Sequence, residues 1–289
     1  MVSNKPSAKG PFDEYTNLLT AHAVTLGPLV VCFLCFVIPY LRAIDKNLPV
    51  HQKSPFLPLI TVSLREIRYL YPSFFAAGVL FGAAFMLNDF PRDIFSHIFR
   101  LLVIFGLPVN WFVAMYQLAI STISIHRFRN RRKPDSSSKR WDLDDVNILV
   151  NFYIGLVVLK DCGLFLWLYF YQQDSLNTFI WVFAIHYIAY QILLFIGTIS
   201  QFSLKSESYS EKVIEIHIKA IGIVKFILFI LTGISLLTGF HITFTMTLFF
   251  FIDFLLVPVV IQITEVMTDP NLVPVCEIAR QPVQIDCRI

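Results

Sequence analysis

Charged and polar side chains set deep inside long apolar runs are the residues of this chain whose chemistry needs an explanation. Lys160 and Asp161 stand together in one such run and Asp253 in another, and neither run holds any further charge. An ionised group far from water is costly, so it is kept where it meets a partner, a ligand or a water-filled space. Adjacent residues of a helix point about 100° apart, so Lys160 and Asp161 are expected to turn away from each other. The expected pair is Lys160 with Asp253, either as a structural ion pair or as the counter-ion of a bound ligand. Asn110 and Trp111 in a third run, and His186 and Tyr187 in a fourth, can hydrogen-bond between helices or line a binding site. Lys225 stands near the start of its run, where its stem can snorkel to the interface, and no site role follows. Trp167 and Trp181 lie towards the ends of their runs, where interfacial anchoring explains them as well as ligand contact does. Arg127 closes the run that ends Ser124-Ile125-His126-Arg127-Phe128. Its five-donor head suits a specific acceptor, and it also suits a plain positive charge at a membrane edge.

Catalytic chemistry finds no comparable support. No two of the seven histidines, His22, His51, His97, His126, His186, His217 and His241, take helical ligand spacing within one run. There is no phosphate-cradling Walker loop and no Gly-x-Ser-x-Gly elbow. No catalytic residue, metal ligand or cofactor is therefore expected. The stretch Arg129–Arg140, RNRRKPDSSSKR, reads as a mobile loop. Its charge is explained by topology and by anionic lipid rather than by nucleic acid. Cys32, Cys35 and Cys162 fall in apolar runs and Cys276 and Cys287 in the tail, so no outer-loop disulfide is expected.

The elements that must position these residues are membrane helices. Of 289 residues, 56% are hydrophobic and only 15% charged, against about 25% charged in ordinary soluble domains; the mean hydropathy is +0.67. Seven apolar runs cover 24–41, 70–88, 101–125, 147–171, 178–202, 219–240 and 243–264. Each is long enough, as a helix, to cross a hydrocarbon core of about 30 Å. The first 22 residues are polar, so the first run itself is expected to act as the targeting signal. Seventeen Lys and Arg fall in the connections after runs one, three and five and in the tail, whereas the opposite side has Lys5, Lys9, Arg92 and Arg100. Positive charge collects in the cytoplasm. The expectation is an all-α membrane protein, a seven-transmembrane helix bundle with its amino terminus outside and its carboxy terminus cytoplasmic. It divides into an outer tail (1–23), the helix bundle (24–264) and an inner tail (265–289), with membrane lipid as its surroundings.

Three patches resemble the nematode serpentine chemoreceptors, most closely the class Z type. They are Phe36-Val37-Ile38-Pro39-Tyr40, then Tyr116-Gln117 leading to His126-Arg127-Phe128, and the seventh run from Asp253 through Pro258 to Ile261-Gln262. Together they span about a sixth of the chain. The resemblance implies a plasma-membrane chemosensory receptor that takes a small-molecule ligand and signals through a heterotrimeric G protein. By it, Arg127 matches the arginine that the wider receptor family places at the cytoplasmic end of helix three. The ligand would lie between the third, fifth, sixth and seventh spans, with Asn110, Trp111, Lys160, His186, Tyr187 and Asp253 as candidate contacts. His126 stands where rhodopsin-like receptors carry an acid, and the seventh run has no Asn-Pro-x-x-Tyr, which excludes an ordinary amine or peptide receptor. The rival readings are a ligand-gated channel of opposite orientation, and a small-molecule transporter or membrane enzyme, against which the lack of repeats, of a metal constellation and of paired acids counts.

The charge asymmetry has a direct test. An epitope tag at the amino terminus should be reached by antibody in intact cells, and one within 129–140 only after permeabilisation. Reversed staining would turn the chain over.

Overall fold

The computed structural model describes residues 11–86, 92–132, 141–170, 175–204, 206, 208–237 and 242–268, with side chains for the greater part of them. The described elements are helical: α1 (Pro11–His51), α2 (Leu57–Arg65), a π-helical turn (Glu66–Leu70), α3 (Tyr71–Met86), α4 (Arg92–Arg132), α5 (Leu143–Phe170), α6 (Ser175–Phe202), α7 (Tyr209–Leu237) and α8 (Ile242–Met267). Glu66 and Tyr71 keep right-handed helical backbone at the two ends of the π turn. α2 and α3 therefore form one continuous rod, and the described residues make seven rods. Helix is the form such apolar runs must take, because lipid offers no partner to an open backbone group.

Each of the seven apolar runs falls on its own rod, but the rods outrun the apolarity. α1 begins at Pro11 and continues to His51, beyond the expected 24–41 on both sides. α4 has 41 residues and reaches Arg132, so residues 129–132, expected in a loop, are helical. α7 begins at Tyr209, well before the apolar stretch that starts at 219. The extensions add residues to a helix already nucleated, and Asn47, His51, Tyr209 and His217 within those of α1 and α7 are buried against other rods. Residues 133–140 and 269–289, expected as a mobile loop and a non-helical tail, lie outside the described residues.

The rods carry their apolar residues outwards. Ile185, Ile188, Ile192, Ile196 and Ile199 are all exposed along α6, at spacings of three and four that trace one helical face. Val31, Leu34 and Ile38 do the same on α1, and Ile223, Phe226, Ile227, Ile230 and Ile234 on α7. Meanwhile Asn47, His51, Gln117, Ser121, Gln191, Gln201, Lys225, Asp253, Gln262 and Glu265 are buried. This distribution suits a bundle surrounded by lipid. Among the described residues, three helical stretches are long and apolar enough to cross a membrane: Leu26–His51, Ile104–Arg131 and Leu143–Leu164.

α4 is the central rod. It packs against α3, α5, α6, α7 and α8, while α1 lies along α8, and α7 along α6 and α8. Aromatic packing fills the space beside it. Tyr71 meets Phe112 edge-on with ring centres 6.3 Å apart, and its hydroxyl donates to the Phe254 carbonyl at 2.9 Å. Small residues bring α6 close to its neighbours. A Cβ on Gly197 would stand 2.8 Å from the Ser121 Cα of α4, and one on Gly222 of α7 would strike the Thr198 side chain of α6.

Gly197→Ala should therefore lower the thermal midpoint of the purified protein, since overpacking costs about 1–3 kcal/mol. Gly163→Ala is the control, because a Cβ there meets nothing within 4 Å. Equal midpoints for the two variants would remove close approach as the reason for Gly197.

Candidate functional site

Three polar clusters occupy successive depths of the bundle. The first lies furthest from the end that carries Arg127, hereafter the basic end. Asp161 on α5 accepts at Oδ2 from Trp111 Nε1 at 2.9 Å and from Asn110 Nδ2 at 3.3 Å, both on α4. Its Oδ1 lies 2.9 Å from Lys160 Nζ. The Lys160 ammonium also stands 5.4 Å above the ring centre of Tyr190 on α6, at a distance where the ring face attracts a cation. The cluster thus joins α4, α5 and α6 around one carboxylate that is 6% exposed.

The second cluster lies deeper. Lys225 on α7 is 0% exposed. Its ammonium is 2.7 Å from Asp253 Oδ2 on α8 and donates to Gln117 Oε1 on α4 at 2.8 Å. These contacts overturn the expected Lys160–Asp253 pair. Asp253 takes Lys225, and Lys160 takes its own neighbour. Lys160 reaches Asp161 because its flexible stem swings the ammonium through the 100° that separates the two Cα–Cβ directions. Lys225 does not snorkel, because α7 starts at Tyr209 and places it well inside the rod, facing α4 and α8.

The third cluster is at the basic end. Arg127 donates to Glu211 Oε2 of α7 at 2.7 Å, and further up the same helix pair the Tyr116 hydroxyl is 2.5 Å from His217 Nδ1. Beside them Glu265 Oε1, on α8, accepts from Asn47 Nδ2 at 2.8 Å and lies 3.0 Å from His51 Nε2, both on α1. Tyr209 of α7 adds its hydroxyl to the same group at 3.4 Å. Burial pushes the Glu265 carboxyl up, but the hydrogen bonds from His51 and Asn47 and the nearby imidazole outweigh it and hold the group below the usual range. Glu215 behaves alike: burial raises it, while hydrogen bonds from Lys219 and Ser206 bring it below the ordinary carboxylate value.

Of the residues singled out from sequence, Asn110, Trp111 and Lys160 come together in the first cluster, Asp253 belongs to the second, and Arg127 to the third. The side chains of His186 and Tyr187 lie outside the described residues, although their backbone belongs to α6. Gln117 and Lys225 as partners, and the whole Glu265 group, were not foreseen; the signal available was a Gln and a Lys inside apolar runs and a Glu at the edge of one. Among the described residues no three His, Cys, Asp or Glu side chains gather in a way that would hold a metal ion. The clusters instead present fixed charges and hydrogen-bond donors to the spaces between rods. No family model matches the chain, and no curated protein or solved structure does either.

Removing one member of the Lys225–Asp253 pair leaves the other charge buried, at a cost of about 3–5 kcal/mol. Lys225→Met and Asp253→Asn should each lower surface expression and thermal midpoint, and the double variant should recover part of the loss. Strictly additive losses would show that the two side chains act separately.

Proposed function

We propose that the chain is a seven-span receptor, of the kind the nematode serpentine chemoreceptors represent, with its amino terminus outside and its carboxy terminus in the cytoplasm. A small, mostly apolar molecule binds near the Asn110, Trp111 and Lys160 end, and a heterotrimeric G protein reads the basic end. The observation that carries this reading is the place of α4. It is the central rod, packed on five others, and it carries polar contacts at both ends: Asn110 and Trp111 to Asp161 at one, Arg127 to Glu211 at the other. A rod so placed feels a rearrangement around the first cluster and transmits it to the third. The bond from Arg127 to Glu211 ties α4 to α7 at the cytoplasmic end and favours the resting arrangement. Ligand binding then favours another arrangement of the rods by its difference in affinity for the two. The heavy excess of Lys and Arg in the connections at the basic end supports the orientation.

The test is nucleotide exchange on reconstituted G proteins, read in the basal state so that no ligand is required. Glu211→Gln weakens a half-buried ion pair worth about 1 kcal/mol and should raise basal exchange about fivefold. Arg127→Lys keeps the charge and loses the planar donor geometry, so it should express normally and lose coupling, whereas Arg131→Lys should leave exchange unchanged. Identical behaviour of the Arg127 and Arg131 variants would return Arg127 to a mere topological charge and remove the receptor reading's main support.

A further inference from the structure

We infer that the Lys160–Asp161 cluster is a binding site for an uncharged apolar molecule that carries a hydrogen-bond acceptor, an ester or ketone carbonyl being the simplest case. The inference deepens the receptor reading by naming a ligand class, and it rests on that reading only for what binding causes.

One ammonium and one carboxylate lie 2.9 Å apart, so the cluster is already neutral. Both carboxylate oxygens are engaged: Oδ2 takes Trp111 and Asn110, and Oδ1 takes Lys160, which leaves about one of its four acceptor sites open, beside the ammonium. The ammonium has three N–H groups, and among the described residues it spends one of them, on Asp161. What the cluster offers an incoming molecule is therefore a donor. A carboxylic acid would set a second anion beside Asp161, and an amine a second cation beside Lys160. Either charge would enter surroundings of low dielectric without compensation. A neutral acceptor takes the spare donor and disturbs neither partner.

The surroundings fit the rest of such a molecule. Leu156, Leu159 and Gly163 on α5 and Ile188 and Ala189 on α6 are exposed on either side of the cluster, and a Cβ on Gly163 would meet nothing within 4 Å. A molecule dissolved in the lipid can thus approach sideways with its apolar body still in lipid and its carbonyl over Tyr190. A second polar group stands next along α6. Gln191 is 2% exposed, and neither its amide nitrogen nor its amide oxygen has a hydrogen-bond partner among the described residues. A buried amide in that state is costly and is itself a candidate reader of the ligand's polar end.

The test uses the full chain in lipid nanodiscs, with empty nanodiscs as the partition blank, and four matched probes: methyl octanoate, octanoate, octylamine and octane. Methyl octanoate should bind saturably and about tenfold or more tighter than the other three, the effect of one hydrogen bond from a charged donor. This order is read on the unaltered chain and needs no variant. The charge-neutral double variant, Lys160→Met with Asp161→Asn, should elute as the unaltered protein does and lose about tenfold or more in ester affinity. Octanoate or octylamine binding as tightly as the ester, an ester affinity unchanged in the double variant, or no saturable binding at all would each overturn the proposal. Basal nucleotide exchange by the Arg127 and Glu211 variants is measured without any of these probes, so the ligand class and the receptor reading fail separately.

Discussion

Lipid tails are as apolar as leucine, so a bundle in a bilayer gains nothing by hiding apolar faces between its helices. The outward isoleucines of α6 and α7 have no reason to turn inwards, and they do not. Cohesion must come from close packing and from polar groups that have nowhere else to go. Both are present. Gly197 and Gly222 let α6 approach α4 and α7 closely. Each polar cluster joins three rods: Lys160 and Asp161 together link α4, α5 and α6; Lys225 links α4, α7 and α8; Glu265 links α1, α7 and α8. The chain of shared members runs through every rod except the one made of α2 and α3. That rod is held by aromatic packing and by the Tyr71 hydroxyl on the α8 backbone. The arrangement is cohesive because an unsatisfied polar group in hydrocarbon costs several kcal/mol.

Hydropathy alone was enough to place the seven rods of the described residues in order, because a long apolar run has no other structural solution in a membrane. It was not enough to pair the charges. Depth along a helix follows from counting residues at 1.5 Å each, but the direction a side chain faces depends on where the helix starts and how it is rotated. Lys160 and Asp253 belong to clusters at different depths, and each meets a nearer partner. Lys225 was misjudged for the first reason. Counting from an apolar boundary at 219 put it near an interface, whereas the helix itself begins at Tyr209. The Glu265 cluster lay hidden for a related cause. His51 and Asn47 fall beyond the apolar part of the first run, and only the unbroken continuation of α1 to His51 carries them under α8. Arg127 was visible as a charge at the end of its run; its partner Glu211 was not, because the two are brought together by the crossing of α4 and α7 rather than by spacing.

The clusters differ in what disturbing them would do. Asp161 sits at a half-open flank, where its neighbour Lys160 keeps 13% of its side chain exposed. Lys225 has no exposure at all, so a motion that parts α7 from α4 takes Gln117 from its ammonium, and one that parts α7 from α8 takes Asp253, without water to replace either. This makes the middle of the bundle stiff and confines easy rearrangement to the two ends. Tyr116 and Arg127 both face α7 from α4. They are three turns apart and only about 20° out of phase, so the α4–α7 seam is continuous from the buried core to the basic end.

Pro108 stands inside α4, two residues before Asn110. Proline removes a backbone hydrogen bond and crowds the preceding turn, which makes this a compliant point of the central rod. From Pro108 to Arg127 is about 28 Å at 1.5 Å per residue. Mechanically that is a lever with its fulcrum beside the Asp161 cluster and its tip at Glu211. A rigid swing of about 10° would carry the tip about 5 Å and Gln117 about 2 Å, so the bond from Lys225 to Gln117 is the restraint on the lever. A displacement of a fraction of an ångström near the fulcrum is thereby multiplied by the length of the arm.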